Sequence, residues 1–281
     1  MKALFGILTL TLALGAGAQT DLDQKIATHK PRPSFAPNQP LAEHVAYGPK
    51  HLFGRVYKPA GDGPFGVVLW NHGSEKDPGP QPELAAFYNA HGYVLFAPVR
   101  SGHGNNPGPY IVDEQKDADP AGKVALHDKA NEDVAAALEW IRAQPYVDRE
   151  RIFISGVSYG GIQTVISAER LSGVRGFIAF APGAMSWGSL PVQKRLLEAV
   201  DHARAPVFVL QAANDYNTGP VEVLGAELRR RGGLNRAKLY PRFGAVEDHQ
   251  KGHAAFATWD LGTEIWGADV LGFMGDCLKG R

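Results

Sequence analysis

A serine flanked by glycines stands where an apolar segment gives way to a more mixed one. Residues 154–164 read ISGVSYGGIQT, which places Ser158 two positions from both Gly156 and Gly160. A very sharp strand-to-helix turn can expose a serine hydroxyl to a substrate. In such a turn the residues two positions before and two positions after the serine press against neighbouring backbone, so they must be small. The segment therefore predicts that Ser158 is a nucleophile. A glycine-rich strand end with a structural serine is the alternative.

Two further side chains have the types that a serine nucleophile needs. A base must remove the hydroxyl proton, and a carboxylate must orient that base. Asp215 follows the strand-like segment PVFVLQAA, and His253 lies in the loop after the last predicted strand. When the serine lies in a strand–turn–helix of this kind, the acid comes after it in the chain and the histidine comes after the acid. We predict Asp215 as the acid and His253 as the base. The alternatives are Asp215 as a simple turn former, Glu222 as the acid and His249 as the base.

The tetrahedral intermediate of acyl transfer needs two hydrogen-bond donors for its oxyanion. The backbone N–H of Tyr159, the residue after the nucleophile, is the first predicted donor. The second is expected in the loop after VVLWNHG, where we choose the N–H of Ser74 ahead of Glu75. The alternative for this loop is a plain tight turn after a buried strand.

The segment between the strand ending in FAPG and the strand starting at Pro206 is short. It leaves space for one helix and a loop, so we expect no large cap domain. Met185 and Trp187 fall in that loop and are predicted to line an acyl pocket, with ordinary packing as the alternative. The polar, glycine-rich loop 101–121 is a candidate for another wall.

Apolar strands alternate with amphipathic helices along most of the chain. The predicted strands lie at 52–59, 65–73, 93–99, 151–155, 174–183, 206–215 and 237–243. The predicted helices lie at 82–92, 122–144, 161–171, 191–203, 219–231 and 260–278. This alternation predicts an α/β fold with a mostly parallel central sheet and helices on both faces. Such sheets place their sites beyond the carboxyl ends of the strands, where all the candidate residues fall.

The composition argues against several classes of partner. The chain of 281 residues has 29 basic and 29 acidic side chains. A neutral balance provides no field that would attract nucleic acid or anionic lipid. The sequence lacks a His-Glu-x-x-His segment, paired-cysteine spacing, a phosphate-binding glycine loop and a dinucleotide fingerprint. We therefore expect no metal and no cofactor.

The N-terminus has the features of an export signal. MK is followed by the apolar stretch ALFGILTLTLAL and by AGA, so cleavage is expected after Ala18, with an uncleaved anchor as the alternative. Residues 19–45 hold four prolines and predict an extended surface lead-in. Residues 46–281 are expected to form a single catalytic domain. Cleavage would leave an exported protein, periplasmic or secreted, that is not membrane-bound. The single cysteine, Cys277, excludes an internal disulfide.

A longer segment resembles a known group of proteins. EDVAAALEWIRAQPYVDRERIFISGVSYGG is similar to the segment before and through the nucleophile in dienelactone hydrolase-like and prolyl-oligopeptidase-like α/β-hydrolases. The resemblance implies the α/β-hydrolase fold, a Ser158, Asp215 and His253 triad, and hydrolysis of esters or related acyl bonds. Two features differ: dienelactone hydrolases carry a cysteine at the position of Ser158, and prolyl oligopeptidases carry a propeller for which this chain has no room.

These features together predict an exported serine esterase that acts on a small-molecule ester. An aminopeptidase-type acyl hydrolase is the second possibility. A catalytically silent binding protein with the same fold is the third, since a fold alone does not establish a function.

Overall fold

A computed structural model describes residues 16–30 and 42–280 of the chain. Most of the predicted signal peptide and the middle of the predicted lead-in, 31–41, lie outside these ranges. Of the helices in the described ranges, none is long and apolar enough to cross a membrane.

Eight strands of the described chain form one sheet, in the order β1-β2-β4-β3-β5-β6-β7-β8. The strands are β1 (Ala42–Tyr47), β2 (Leu52–Tyr57), β3 (Phe65–Asn71), β4 (Tyr93–Pro98), β5 (Val147–Val157), β6 (Gly176–Phe180), β7 (Val207–Ala212) and β8 (Arg236–Tyr240). β2 pairs antiparallel with both β1 and β4, and every pair from β4 to β8 is parallel. The carboxyl ends of the parallel strands therefore meet at one edge.

Helices connect the strands and cover the sheet. They are α1 (Ala16–Thr28), α2 (Pro82–Ala90), α3 (Ile111–Asp117), α4 (Pro120–Arg142), α5 (Tyr159–Arg170), α6 (Leu190–Asp201), α7 (Gly225–Arg231), α8 (Phe256–Thr258) and α9 (Asp260–Lys279). A short 3₁₀ turn, Ala184–Ser186, and α6 are the regular structure between β6 and β7. No large cap is inserted there, as expected.

The core consists of two apolar layers, one on each face of the sheet. Successive side chains of a strand point to opposite faces. In β3, Val67 and Leu69 accordingly belong to the layer that packs against α4, α5, α6 and α7, whereas Val68 and Trp70 belong to the layer against α1, α2 and α9. The strands β3, β4, β6 and β7 and the second half of β5 are buried on both faces, so they appear in the sequence as continuous apolar runs. The predicted mostly parallel sheet with helices on both faces is confirmed.

The predicted extended lead-in, 19–45, is wrong at both ends. Its first part belongs to α1, which is anchored by the buried side chain of Ile26 and by an ion pair between Asp23 and Arg242. Its last part belongs to β1, the edge strand, which begins before the expected domain boundary at residue 46. β1 was missed because most of its side chains are exposed or only partly buried, so its sequence lacks an apolar run.

A second difference concerns the loop predicted at 101–121, which contains the helix α3. Only Ile111 of this seven-residue helix is buried, so the segment has no repeating apolar pattern.

Candidate active site

The turn between β5 and α5 holds Ser158 in a backbone conformation that L-residues rarely adopt, with φ of 58° and ψ of −118°. The glycines around it are required by close backbone contacts. A Cβ on Gly156 would lie 2.6 Å from the carbonyl oxygen of Gly160, and a Cβ on Gly160 would lie 2.0 Å from the carbonyl oxygen of Asn71. The structure therefore has the sharp turn predicted from the sequence, in which strain is stored at the serine.

This packing leads to a prediction about stability. Gly160→Ala should lower the free energy of unfolding by about 3 kcal/mol, because the new methyl group would overlap the backbone of β3. Gly275→Ala is the matched control, since a Cβ there meets no atom within 4 Å and the site lies inside α9. That change should stabilise the protein by up to about 1 kcal/mol, the helix propensity difference. Urea unfolding followed by circular dichroism measures both values, and equal stabilities of the two variants would contradict the packing described here.

Asp215 and His253 are joined by a buried hydrogen bond. Asp215 follows the carboxyl end of β7, and His253 lies in a single π-turn, Lys251–Ala255, after β8. The Nδ1 atom of His253 lies 2.8 Å from Oδ1 of Asp215. The exposed fractions of these side chains are 4% and 0%. A carboxylate in this position favours the imidazole tautomer that carries its proton on Nδ1 and leaves Nε2 free to accept one.

Asn214 fixes the relative position of these two loops. Its Nδ2 donates to the carbonyl oxygens of Phe243 and Ala245 at 3.0 and 2.9 Å, and its Oδ1 accepts from the N–H of Phe243 at 2.8 Å. The neighbouring His249 is exposed and hydrogen-bonded through Nδ1 to the carbonyl oxygen of Asn214, 2.9 Å away. His253, not His249, is therefore the histidine paired with Asp215.

Ser158 and His253 line the same cavity, which has a volume of about 360 Å³. The Nε2 atom of His253 is buried and has no hydrogen-bond partner within the described residues, so it is not bonded to the Ser158 hydroxyl. Bonds of this kind are often long without substrate and shorten in the substrate complex. The structure thus places the predicted nucleophile and the paired imidazole at one cavity, without a hydrogen bond between the Ser158 hydroxyl and His253.

The two predicted oxyanion donors belong to two different segments of the chain. Tyr159 is the first residue of α5, whose N-terminus carries a partial positive charge that favours an anion. Ser74 lines the cavity, and its carbonyl oxygen accepts a hydrogen bond of 2.5 Å from the Tyr110 hydroxyl. The preceding residue, Gly73, has its carbonyl oxygen 2.6 Å from Nη2 of Arg100. These tethers fix the Ser74 loop beside the nucleophile.

His72 supports the same loop as a neutral imidazole. Burial, followed by the charge of Arg100, lowers its pKa well below the usual range. Its Nε2 accepts the backbone N–H of Arg100 at 3.2 Å, so Nδ1 carries the proton and donates to the carbonyl oxygen of Gly73 at 2.9 Å. The same causes lower the pKa of His103 to about 4, and its ring lies 4.7 Å from that of His72. These histidines hold the loop in place.

Arg100 is a supporting residue that sequence reasoning missed. Its side chain is buried beneath the Ser74 loop, and its guanidinium carbon lies 5.0 Å from the centre of the Tyr159 ring. It therefore contacts the segments that carry both predicted oxyanion donors. Asp133 of α4 fixes the next residue, accepting from the N–H of Ser101 at 2.8 Å. The sequence signal was slight: one arginine directly after a buried strand.

The two predicted pocket residues have different positions. Met185 is 63% exposed and lines the cavity of Ser158, and it also lines a neighbouring cavity of about 330 Å³ that includes His127 and Lys123. Trp187 is buried in the core layer that contains α6, and it lines neither cavity. The 3₁₀ turn before it directs the indole inward, so the prediction for Trp187 is wrong. Loop 101–121 contributes the tether from Tyr110 and does not line the catalytic cavity.

One group of described side chains has the types and spacing of metal ligands. His29, Glu83 and Asp260 bring ligand atoms within 4.8 Å of one another. The His29 ring stacks on Trp259 at 4.3 Å, and its Nε2 is 3.3 Å from Oε1 of Glu83. None of these residues lines the catalytic cavity, and their contacts join the end of α1 to α2 and α9.

Comparisons with known proteins agree with this architecture. An acylaminoacyl peptidase from Pyrococcus horikoshii superposes with a TM-score of 0.61 at 17% identity, over 77% of this chain. A dienelactone hydrolase candidate from Klebsiella pneumoniae gives 0.59 at 20% identity, over 83% of this chain. The chain has the α/β-hydrolase fold. Dipeptidyl peptidase 4 of Porphyromonas gingivalis is also similar, with a TM-score of 0.56 at 18% identity over 72% of this chain.

The extent of these matches differs. This chain covers 39% of the acylaminoacyl peptidase and 32% of the dipeptidyl peptidase, but 98% of the dienelactone hydrolase candidate. The sequence profile of the prolyl oligopeptidase family, Peptidase_S9, matches residues 119–190, which include α4 and Ser158. Among curated proteins, no sequence matches. The comparisons therefore establish the fold, and the profile matches only the segment from α4 through the turn at Ser158 to the start of α6.

Proposed function

We propose that this α/β-hydrolase is an exported serine hydrolase that cleaves carboxylic esters, or related acyl bonds, through a covalent acyl-enzyme. The observation that carries the proposal is the buried 2.8 Å contact between Nδ1 of His253 and Oδ1 of Asp215. The Nε2 atom of the same imidazole has no hydrogen-bond partner among the described residues, and His253 lines the same cavity as Ser158. Export rests on the sequence features of residues 1–18.

In the proposed reaction, Ser158 Oγ attacks the carbonyl carbon while His253 Nε2 takes the hydroxyl proton. Asp215 accepts the hydrogen bond of Nδ1–H and stabilises the imidazolium that forms. The N–H groups of Tyr159 and Ser74 donate to the negative carbonyl oxygen. The bond between the carbonyl carbon and the alcohol oxygen then breaks, and His253 returns its proton to the departing alkoxide. Attack by water, activated in the same way, releases the carboxylic acid and restores the serine.

The proposal predicts a stoichiometric reaction at a single residue. A fluorophosphonate probe should label one serine per chain, and mass spectrometry of the digested protein should locate the label on Ser158. Prior heat denaturation is the control and should abolish labelling, because the reaction depends on the assembled triad. No labelling, or labelling of another serine, would reject the mechanism. The first outcome is what a catalytically silent binding protein of this fold would give.

An aminopeptidase-type acyl hydrolase is the second candidate. The match of residues 119–190 to the prolyl oligopeptidase profile and the likeness to an acylaminoacyl peptidase favour it. Parallel assays on aminoacyl nitroanilides and short-chain nitrophenyl esters separate the two, since an enzyme of this type would turn over the anilides.

A further inference from the structure

The catalytic cavity contains one carboxylate of the described chain. Glu75 follows Ser74, and its side chain lines the cavity together with Ser158 and His253. The position of Gly73 shows how close this carboxylate is to the nucleophile. From the point where a Cβ on Gly73 would stand, Oε2 of Glu75 is 2.5 Å away and Cβ of Ser158 is 3.6 Å away. The carboxylate thus lies over the loop that supplies the second oxyanion donor.

Within the described residues, the Glu75 carboxylate takes part in no hydrogen bond or ion pair. Two cations lie in this region. Arg100 is buried below Gly73 and uses Nη2 on the Gly73 carbonyl, and Nζ of Lys76 lies 5.8 Å from the centre of the Tyr110 ring. Neither forms an ion pair with Glu75 among the described contacts. A carboxylate that stays unpaired at a cavity wall is available to a ligand.

The position of this carboxylate opposes catalysis on a neutral substrate. Negative charge develops on the carbonyl oxygen in the transition state, and a carboxylate nearby repels that charge. A substrate with its own positive charge would pair with Glu75 and remove the repulsion, and it would also gain a charge-assisted hydrogen bond. Specificity of this kind combines attraction for one substrate with repulsion of its competitors.

We infer that Glu75 is a specificity residue that selects acyl groups carrying an ammonium group next to the scissile carbonyl, so that the substrates are α-aminoacyl esters or amides. The acyl side follows because Glu75 lies close to the carbonyl site: an α-ammonium is separated from the carbonyl carbon by the α-carbon alone, whereas the ester oxygen and further carbons hold any ammonium of the alcohol farther away. This inference rests on the proposed function and specifies its substrate class. His253 is the other ionisable side chain among the described residues that line the cavity; Arg100, whose charge also acts on Glu75, lies below the loop and does not line the cavity.

The test uses two substrates that differ in one group. Alanine benzyl ester and propionic acid benzyl ester have the same leaving group, and only the first carries an α-ammonium. At about pH 6.5 that group is protonated, because an α-amino group has an ordinary pKa of roughly 7.7–8.0. The readout is the ratio of the two kcat/KM values. We expect the full-length wild-type protein to favour the alanine ester, and Glu75→Gln to lower the ratio about tenfold through loss of the alanine ester reaction.

Asp77→Asn is the matched control, because Asp77 is an exposed acid of the same loop that does not line the cavity. It should leave the ratio unchanged, whereas Glu75→Lys should reverse the preference. Thermal unfolding of each variant checks that it is folded.

The outcomes separate this inference from the proposed function. An unchanged ratio in Glu75→Gln, or a wild-type preference for the propionyl ester, would overturn the role of Glu75 while Ser158 still reacts with the fluorophosphonate. An equal loss of both reactions in Glu75→Gln would also overturn it. Absence of both turnover and labelling would reject the proposed function and this inference together.

Discussion

Ser158→Ala is expected to lower kcat for a short-chain nitrophenyl ester by a factor of about 10⁵ or more. The change removes the oxygen that forms the acyl-enzyme, so only the oxyanion donors and substrate binding remain to assist direct attack by water. Alanine keeps a Cβ at the strained position, so the strand–turn–helix should keep its conformation. The measurement is kcat at saturating substrate, with circular dichroism as the check on folding.

Ser172→Ala provides the control for this variant, since Ser172 is an exposed serine that does not line the catalytic cavity. It should retain full activity. If Ser158→Ala kept even a tenth of the wild-type kcat, another group would be the nucleophile and the acyl-enzyme mechanism would have to be abandoned.

His253→Ala should have an effect of similar size, lowering kcat by about 10⁴ to 10⁶. Without the imidazole, the Ser158 hydroxyl loses its proposed base, and the Asp215 carboxylate remains buried without its partner. His249→Ala is a strict control, because His249 lies four residues earlier in the same loop and is exposed. We expect it to change kcat by less than about threefold, as is usual for a surface substitution. Comparable losses in both variants would indicate damage to the loop and contradict the assignment of His253 as the base.

Two features of the site could be predicted from the sequence: the turn at Ser158, which depends on local residues, and the choice of Asp215 and His253, which depends on the order of the strands. The turn at Ser158 needs small residues at fixed positions, and the sequence carries Gly156 and Gly160 there because the backbone of β3 leaves no space for a Cβ. Asp215 and His253 could be chosen because both follow strands, and the carboxyl ends of parallel strands meet at one edge. The structure brings the side chains of Asp215 and His253 into contact. The hydrogen bond between the Ser158 hydroxyl and His253 stays a prediction.

The parts that sequence reasoning missed depend on contacts between distant segments. Arg100 supports the loop of Gly73 from a position 27 residues away in the chain, and no local pattern marks such a pair. Trp187 has the residue type of a pocket wall, yet one short turn decides that it faces the core. α3 is stabilised by one buried residue, which is too little to produce a periodic signal.

Met185 lines two neighbouring cavities, one of about 360 Å³ that also contains Ser158 and one of about 330 Å³. A methionine side chain is unbranched and has several rotatable bonds, and exposed side chains change rotamer within picoseconds to nanoseconds. A rotation of this thioether would change the shape of both cavities without moving the backbone. Under the proposed function, the space beside Ser158 would then depend on the rotamer of one exposed side chain, while the backbone around it stays unchanged.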